Sequence, residues 1–165
     1  MEIKMTKLLI LGAAGDMGSY ALKDSLHWEQ YSEITIGDIN EKQARKLIEQ
    51  LKDPRLRFVR VNAMKHDELV DIMKNHDIVI SAIGPFYIFG PRVVQAAIDA
   101  KKPLIDICDD HGPTQEVLEM DKDAREAGIP ILLGFGWTPG LSNFLARYGY
   151  DYTRLQRLPF CVTRS

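Results

Sequence analysis

Short apolar runs alternate with amphipathic stretches along the whole chain. Runs rich in Ile, Val and Leu read as buried strands, and apolar residues recurring every three to four places read as one-sided helices. This pattern predicts strands at 7–11, 33–38, 57–61, 78–82, 104–107 and 129–133. It predicts helices at 17–28, 41–51, 67–75, 91–100 and 114–127. Asp53-Pro54, Asn75, Lys101-Lys102-Pro103 and Ala127-Gly128 supply the stops. Pro91 fits a first helical turn, where its missing N–H costs nothing. Strands and helices alternating in this way form a parallel sheet covered on both faces. Right-handed crossovers then give an α/β, doubly wound, three-layer fold with strand order 3-2-1-4-5-6.

The junction after the first strand carries the most chemistry. There an apolar run opens onto Gly12-Ala13-Ala14-Gly15-Asp16-Met17-Gly18, and a helix-compatible stretch follows. Three glycines so spaced let the backbone turn, approach a ligand and pack the helix on the strand. The helix aims its unpaired N–H groups and positive dipole end at an anion, which in a βαβ unit is the pyrophosphate of a dinucleotide. The middle glycine falls one place later than in GxGxxG, so the second strand has to support the reading. It does: Asp38 ends that strand about twenty residues after Gly18, where an acid hydrogen-bonds the ribose 2′-hydroxyl. A carboxylate there repels a 2′-phosphate, which favours NAD over NADP as cofactor, with Lys42 and Arg45 close enough in sequence to soften that preference. The plainer alternative is a glycine-rich loop beside an aspartate that caps the next helix.

Other strand ends add less. Ser81-Ala82-Ile83-Gly84-Pro85-Phe86 follows the fourth strand, and Ala82, Ile83, Gly84 and Pro85 fit a backbone segment running beneath the phosphates and nicotinamide ribose. Asn62 and Ala63, after the third strand, fall where the adenine edge lies, although Asn62 serves equally as a helix cap. Asp106-Ile107-Cys108-Asp109-Asp110-His111 gathers acids, a thiol and an imidazole without the spacing of a metal site, so we expect strand-end solvation and helix capping, with Cys108 a small half-buried apolar residue. His27, His66 and His76 read as surface or helix-end residues.

The composition is that of an ordinary globular chain: 165 residues, 45% hydrophobic and 27% charged, with a net charge of −2. Its scattered Lys and Arg give no reason to expect nucleic-acid or membrane partners. Glu2, Lys4 and Lys7 interrupt any signal-peptide core, and Cys108 and Cys161 form no disulfide framework, so a reducing cytoplasm is the expectation.

Three stretches, GAAGDMG, DIVISAIGPFYIFGPRVVQAAIDAKKPLIDICDD and GIPILLGFGWTPGLSN, together resemble the saccharopine dehydrogenase-like family in its Rossmann nucleotide-binding domain. The resemblance spans about residues 5–149 and is most specific at Gly84-Pro85-Phe86-Tyr87, Gly90 and Asp106. It implies a cytoplasmic oxidoreductase passing hydride between a nicotinamide cofactor and an amino-acid-derived secondary amine or imine. By that resemblance Gly12, Ala14, Gly15, Asp16 and Met17 line the pyrophosphate, Asp38 takes the adenosine ribose, and Ala82 to Pro85 flank the nicotinamide. The family often uses NADP, which Asp38 argues against here.

In the family a substrate domain follows the Trp-Thr-Pro-Gly turn, whereas this chain stops at Ser165. We therefore expect a dinucleotide-binding domain at 1–140 and the start of a truncated linker or second domain at 141–165. No catalytic residue is assigned, and an amino-acid-like substrate enters only with a second domain. Residues 141–148 read as an amphipathic helix whose apolar face favours a homo-oligomer. A dihydrodipicolinate-reductase-like enzyme and a non-catalytic dinucleotide-binding module are the alternatives. A short-chain dehydrogenase is disfavoured, because no Tyr has Lys four residues later.

Overall fold

At the centre of the computed structural model, which describes residues 5–153, lies β1 (Thr6–Leu11), whose Leu8, Leu9, Ile10 and Leu11 are fully buried. Successive side chains of a strand point to opposite faces. Leu8 and Ile10 accordingly enter one core, and Leu9 and Leu11 another. The first core joins Leu22 of α1 (Asp16–Ser25), Ile34 and Ile36 of β2 (Tyr31–Asp38), Ala44 and Leu47 of α2 (Glu41–Leu51), and Leu56 of β3 (Leu56–Arg60).

The second core takes Leu69 and Met73 of α3 (His66–Lys74), Val79 of β4 (Ile78–Ser81) and Val93 of α4 (Phe86–Ala100). Leu104 of β5 (Leu104–Asp106), Val117 of α5 (His111–Leu118) and Ala124 of α6 (Asp121–Ala127) complete it. With β6 (Ile131–Leu132) the six strands form one parallel sheet in the order β3-β2-β1-β4-β5-β6, as the pattern of the chain predicts. Helices α1 and α2 cover one face, and α3 to α6 the other. A kinked turn at Trp137–Leu141 leads into α7 (Ser142–Thr153).

Several elements depart from the sequence reading. Helix α1 ends at Ser25, because the N–H groups of His27 and Trp28 bond three residues back, to Asp24 and Ser25, and tighten the chain into a turn. Helix α4 begins at Phe86, five residues before the expected start, so Pro91 lies inside it. Pro85 takes the capping position, and Pro91, in the second turn, forfeits one helical hydrogen bond. The expected helix 114–127 is two helices, α5 and α6, broken at Met120. His76 is buried rather than superficial: Nδ1 donates to the Ile72 carbonyl at 2.8 Å and Nε2 lies 2.8 Å from the Thr35 hydroxyl, tying the end of α3 to β2.

Arg55 knits the opposite end of the sheet from the glycine loop. Its guanidinium bonds both Asp53 carboxylate oxygens, at 3.0 and 2.7 Å, and the carbonyls of Trp28, Tyr31 and Leu26 at 2.9, 3.3 and 2.7 Å. Hydrogen bonding from Arg55 holds the Asp53 carboxyl below its usual range, against the opposing effect of burial.

Candidate dinucleotide-binding site

The site grows out of the β1–α1 junction. Gly12 sits at a φ of +74°, a conformation an L side chain rarely adopts, and its N–H donates to the Gly37 carbonyl at 2.7 Å. A Cβ on Gly12 would stand 2.7 Å from the Ala82 carbonyl oxygen, and one on Gly18 would stand 2.1 Å from the Gly12 carbonyl oxygen. Both positions exclude a side chain so that α1 and β4 can close on the loop. Gly15 caps α1 in an extended conformation with no side-chain bond to the helix. The first-turn N–H groups of Asp16, Met17 and Gly18 receive no side-chain cap and, as at any helix start, lack helical acceptors, which suits this end of α1 to an anion.

Asp38 closes β2 beside this loop. Its Oδ2 accepts the Ala14 N–H at 2.9 Å and its Oδ1 the Asn40 N–H at 2.9 Å. Asn40 in turn caps α2, its side-chain oxygen accepting the Gln43 N–H at 3.1 Å. On the far side, Ala82 continues the β1–β4 pairing through its N–H to the Leu11 carbonyl at 2.9 Å. The Gly84-Pro85 peptide is cis.

Between these walls lies a cleft of about 320 Å³, within the range of small-molecule sites (about 300–1,000 Å³). Nine residues singled out from the sequence line it: Gly12, Ala14 and Gly15 from the loop, Asp38, Asn62 and Ala63, and Ala82, Ile83 and Gly84 after β4. Asp16, Met17, Gly18 and Pro85 do not. Gly18 is packed against Gly12, while the side chains of Asp16 and Met17 point to solvent at the head of α1. The cleft also takes in Ile39, Asn40, Val61 and Phe89. Asn62 does not cap α3; its side chain accepts the Met64 N–H at 3.0 Å in a tight turn. Phe89 carried no signal of its own, because its place depends on α4 starting early.

The acids after β5 are not uniformly solvated. Asp109, Asp110 and His111 are exposed, but Asp106 is 1% exposed and Cys108 is 3% exposed. Oδ1 of Asp106 accepts the Cys108 N–H at 2.7 Å. Burial pushes the Asp106 carboxyl above its ordinary range, against the opposing pull of the Cys108 N–H and the Ser81 hydroxyl, and it also raises the Cys108 thiol. Among the described residues no group of three His, Cys, Asp or Glu is placed to hold a metal ion. No helix among them is long and apolar enough to cross a membrane.

A parallel sheet with this strand order, a glycine loop beneath an open helix end and an acid closing β2 define a Rossmann domain that binds a nicotinamide dinucleotide. Residues 8–132 match the family described as the saccharopine dehydrogenase NADP binding domain, and the chain belongs to that family. Among curated relatives it is 24% identical over 139 residues to a lipid droplet localized protein of Caenorhabditis elegans, covering 79% of this chain and 33% of that one. It is 30% identical over 150 residues to the mitochondrial alpha-aminoadipic semialdehyde synthase of Bos taurus, covering 88% of this chain and 15% of that one. The chain thus spans a third or less of the length of these relatives. Apo saccharopine dehydrogenase (L-Glu forming) from Saccharomyces cerevisiae shares the fold with a TM-score of 0.78 at 20% identity, over 90% of this chain and 31% of that one.

Proposed function

We propose that this chain binds NAD, as the cofactor-holding part of an oxidoreductase that moves hydride to or from an amino-acid-derived secondary amine or imine. The observation that carries the reading is the cleft itself: the Gly12–Gly15 loop that leads into the uncapped start of α1 borders it, and the Asp38 carboxylate, bonded to that loop, lies at its edge. The diphosphate lies over Gly12, Ala14, Gly15 and the first-turn N–H groups of Asp16, Met17 and Gly18. The adenosine ribose hydroxyls face Asp38, the adenine lies toward Ala63, and the nicotinamide half runs along Ala82, Ile83, Gly84 and Pro85. The names of the relatives support the amine or imine chemistry. Substrate groups and the catalytic acid or base come from protein beyond this domain, and the working compartment is the cytoplasm.

NADP is the second reading. The family description names it, and Lys42, Arg45 and Lys46 line a groove beyond Asn40 where a 2′-phosphate would project. Against it, Arg45 is already held by Glu41 and lies over the Phe58 ring. Titration calorimetry with both dinucleotides decides the matter. Saturable heat with NAD, and binding of NADP at least about tenfold weaker, is expected from an unpaired charge clash of roughly 1.4 kcal/mol or more. Absence of binding by either dinucleotide overturns the proposal.

A further inference from the structure

Asp38 does more than face the cleft. Its carboxylate reaches across 24 positions of chain to hold the Ala14 N–H, and it also holds the Asn40 N–H at the entrance to α2. Gly37, its neighbour, holds Gly12 by the Gly12 N–H. The end of β2 therefore grips the glycine loop at two points, on either side of Ala13.

We infer that Asp38 is a positioning residue for the diphosphate loop, in addition to the ribose contact given above, on which this inference rests. In a trans peptide the N–H and carbonyl point in opposite directions. The bond to Asp38 thus turns the Ala13 carbonyl away from the carboxylate. The flipped peptide would set two oxygens against each other, so one loop conformer is selected. That conformer leads directly into Gly15 and the open N–H groups of α1. A carboxylate has about four acceptor positions. Two are used by Ala14 and Asn40, which leaves two for ribose hydroxyls. One side chain therefore serves the sugar and the diphosphate together, by direct contact with the first and through the loop for the second.

The test compares ADP with 2′,3′-dideoxy-ADP, which keeps the diphosphate and lacks both hydroxyls that Asp38 would read. Their dissociation constants are measured by calorimetry for the wild type, Asp38→Ala and Asp38→Asn, beside amide hydrogen exchange of each unliganded protein. Loss of a loop-ordering charged hydrogen bond is expected to weaken 2′,3′-dideoxy-ADP about tenfold in Asp38→Ala. Exchange at Ala14 and Asn40 should accelerate while amides of β4 keep their protection. Asp38→Asn retains one acceptor oxygen and should recover part of the affinity. Weakened ADP binding with unchanged 2′,3′-dideoxy-ADP binding would reduce Asp38 to a ribose contact and overturn the inference. Equal acceleration of exchange throughout the sheet would overturn it as well, since that marks general destabilisation. A wild type that binds neither ADP nor either dinucleotide would instead sink the cofactor reading, and this inference with it.

Discussion

Ser81 and Asp106 are register partners on adjacent parallel strands, both 1% exposed, and Ser81 Oγ and Asp106 Oδ2 each lack a well-formed hydrogen bond. Oxygen atoms sealed in this way make the Asp106 anion costly. The carboxyl holds its proton to a higher pH in the folded protein than in the unfolded chain.

That difference has a defined sign. The folded state binds more protons than the unfolded state as pH rises from about 4. Stability is therefore lost through that window, up to the raised folded value. Relative to the wild type, Asp106→Asn should gain stability as pH rises above about 4, by about 1.4 kcal/mol for each pH unit by which the folded value is raised. Urea unfolding across that range measures it, and parallel profiles for the two proteins would show that Asp106 is not the source.

Close packing of the glycine loop gives a sharper contrast. Gly18→Ala would drive a methyl group to 2.1 Å from the Gly12 carbonyl oxygen, and the clash with backbone should cost about 3 kcal/mol. Gly84→Ala meets nothing within 4 Å and should change stability by no more than about 0.5 kcal/mol. Thermal unfolding of the pair checks the packing, and similar midpoints would contradict it.

Arg55 supports the other end of the sheet with a planar fork that Lys does not reproduce. Arg55→Lys should destabilise by about 1–2 kcal/mol, and Arg55→Ala by about 2–3 kcal/mol through the carbonyls of Leu26, Trp28 and Tyr31 that lose their donor. Denaturant titrations rank the two variants. An alanine variant as stable as the wild type would mean that water replaces the guanidinium without loss.

Helix α7 packs mainly on the turn before it and exposes Phe144, Leu145, Tyr148 and Tyr152, with the rings of Tyr148 and Tyr152 stacked 6.3 Å apart. A stripe of this kind favours association. Light scattering should show mass rising with concentration, and Phe144→Glu combined with Tyr148→Glu should abolish the rise. A wild type that stays monomeric at high concentration would contradict it.

The sheet was legible because its strands are short apolar runs, with Leu8 to Leu11 and Ile34 and Ile36 wholly interior. The glycine loop was legible for a related reason, since Gly12 and Gly18 answer constraints of turn and packing that leave a mark in sequence. The start of α4 was not, because two prolines six residues apart offer competing first turns and only packing chooses between them. The burial of Asp106 and His76 and the three bonds from Arg55 to the carbonyls of Leu26, Trp28 and Tyr31 were also hidden. Each depends on segments far apart in the chain meeting in space, as the 41 positions between Thr35 and His76 illustrate. Of the final stretch, Asp151 to Thr153 belong to α7, while residues 154–165, including Cys161, lie outside those described.

Strands β1 and β4 lie side by side, yet the chain leaves β1 toward β2 and β3 and leaves β4 toward β5 and β6. Their outgoing segments climb to opposite faces, α1 on one and α4 on the other, and part as they go. The hollow between them is thus a product of winding rather than of particular side chains. Exchanging Ile39, Asn62 or Phe89 would retune what is held without relocating it. A lineage built on this winding is free to vary its ligand while keeping the same address.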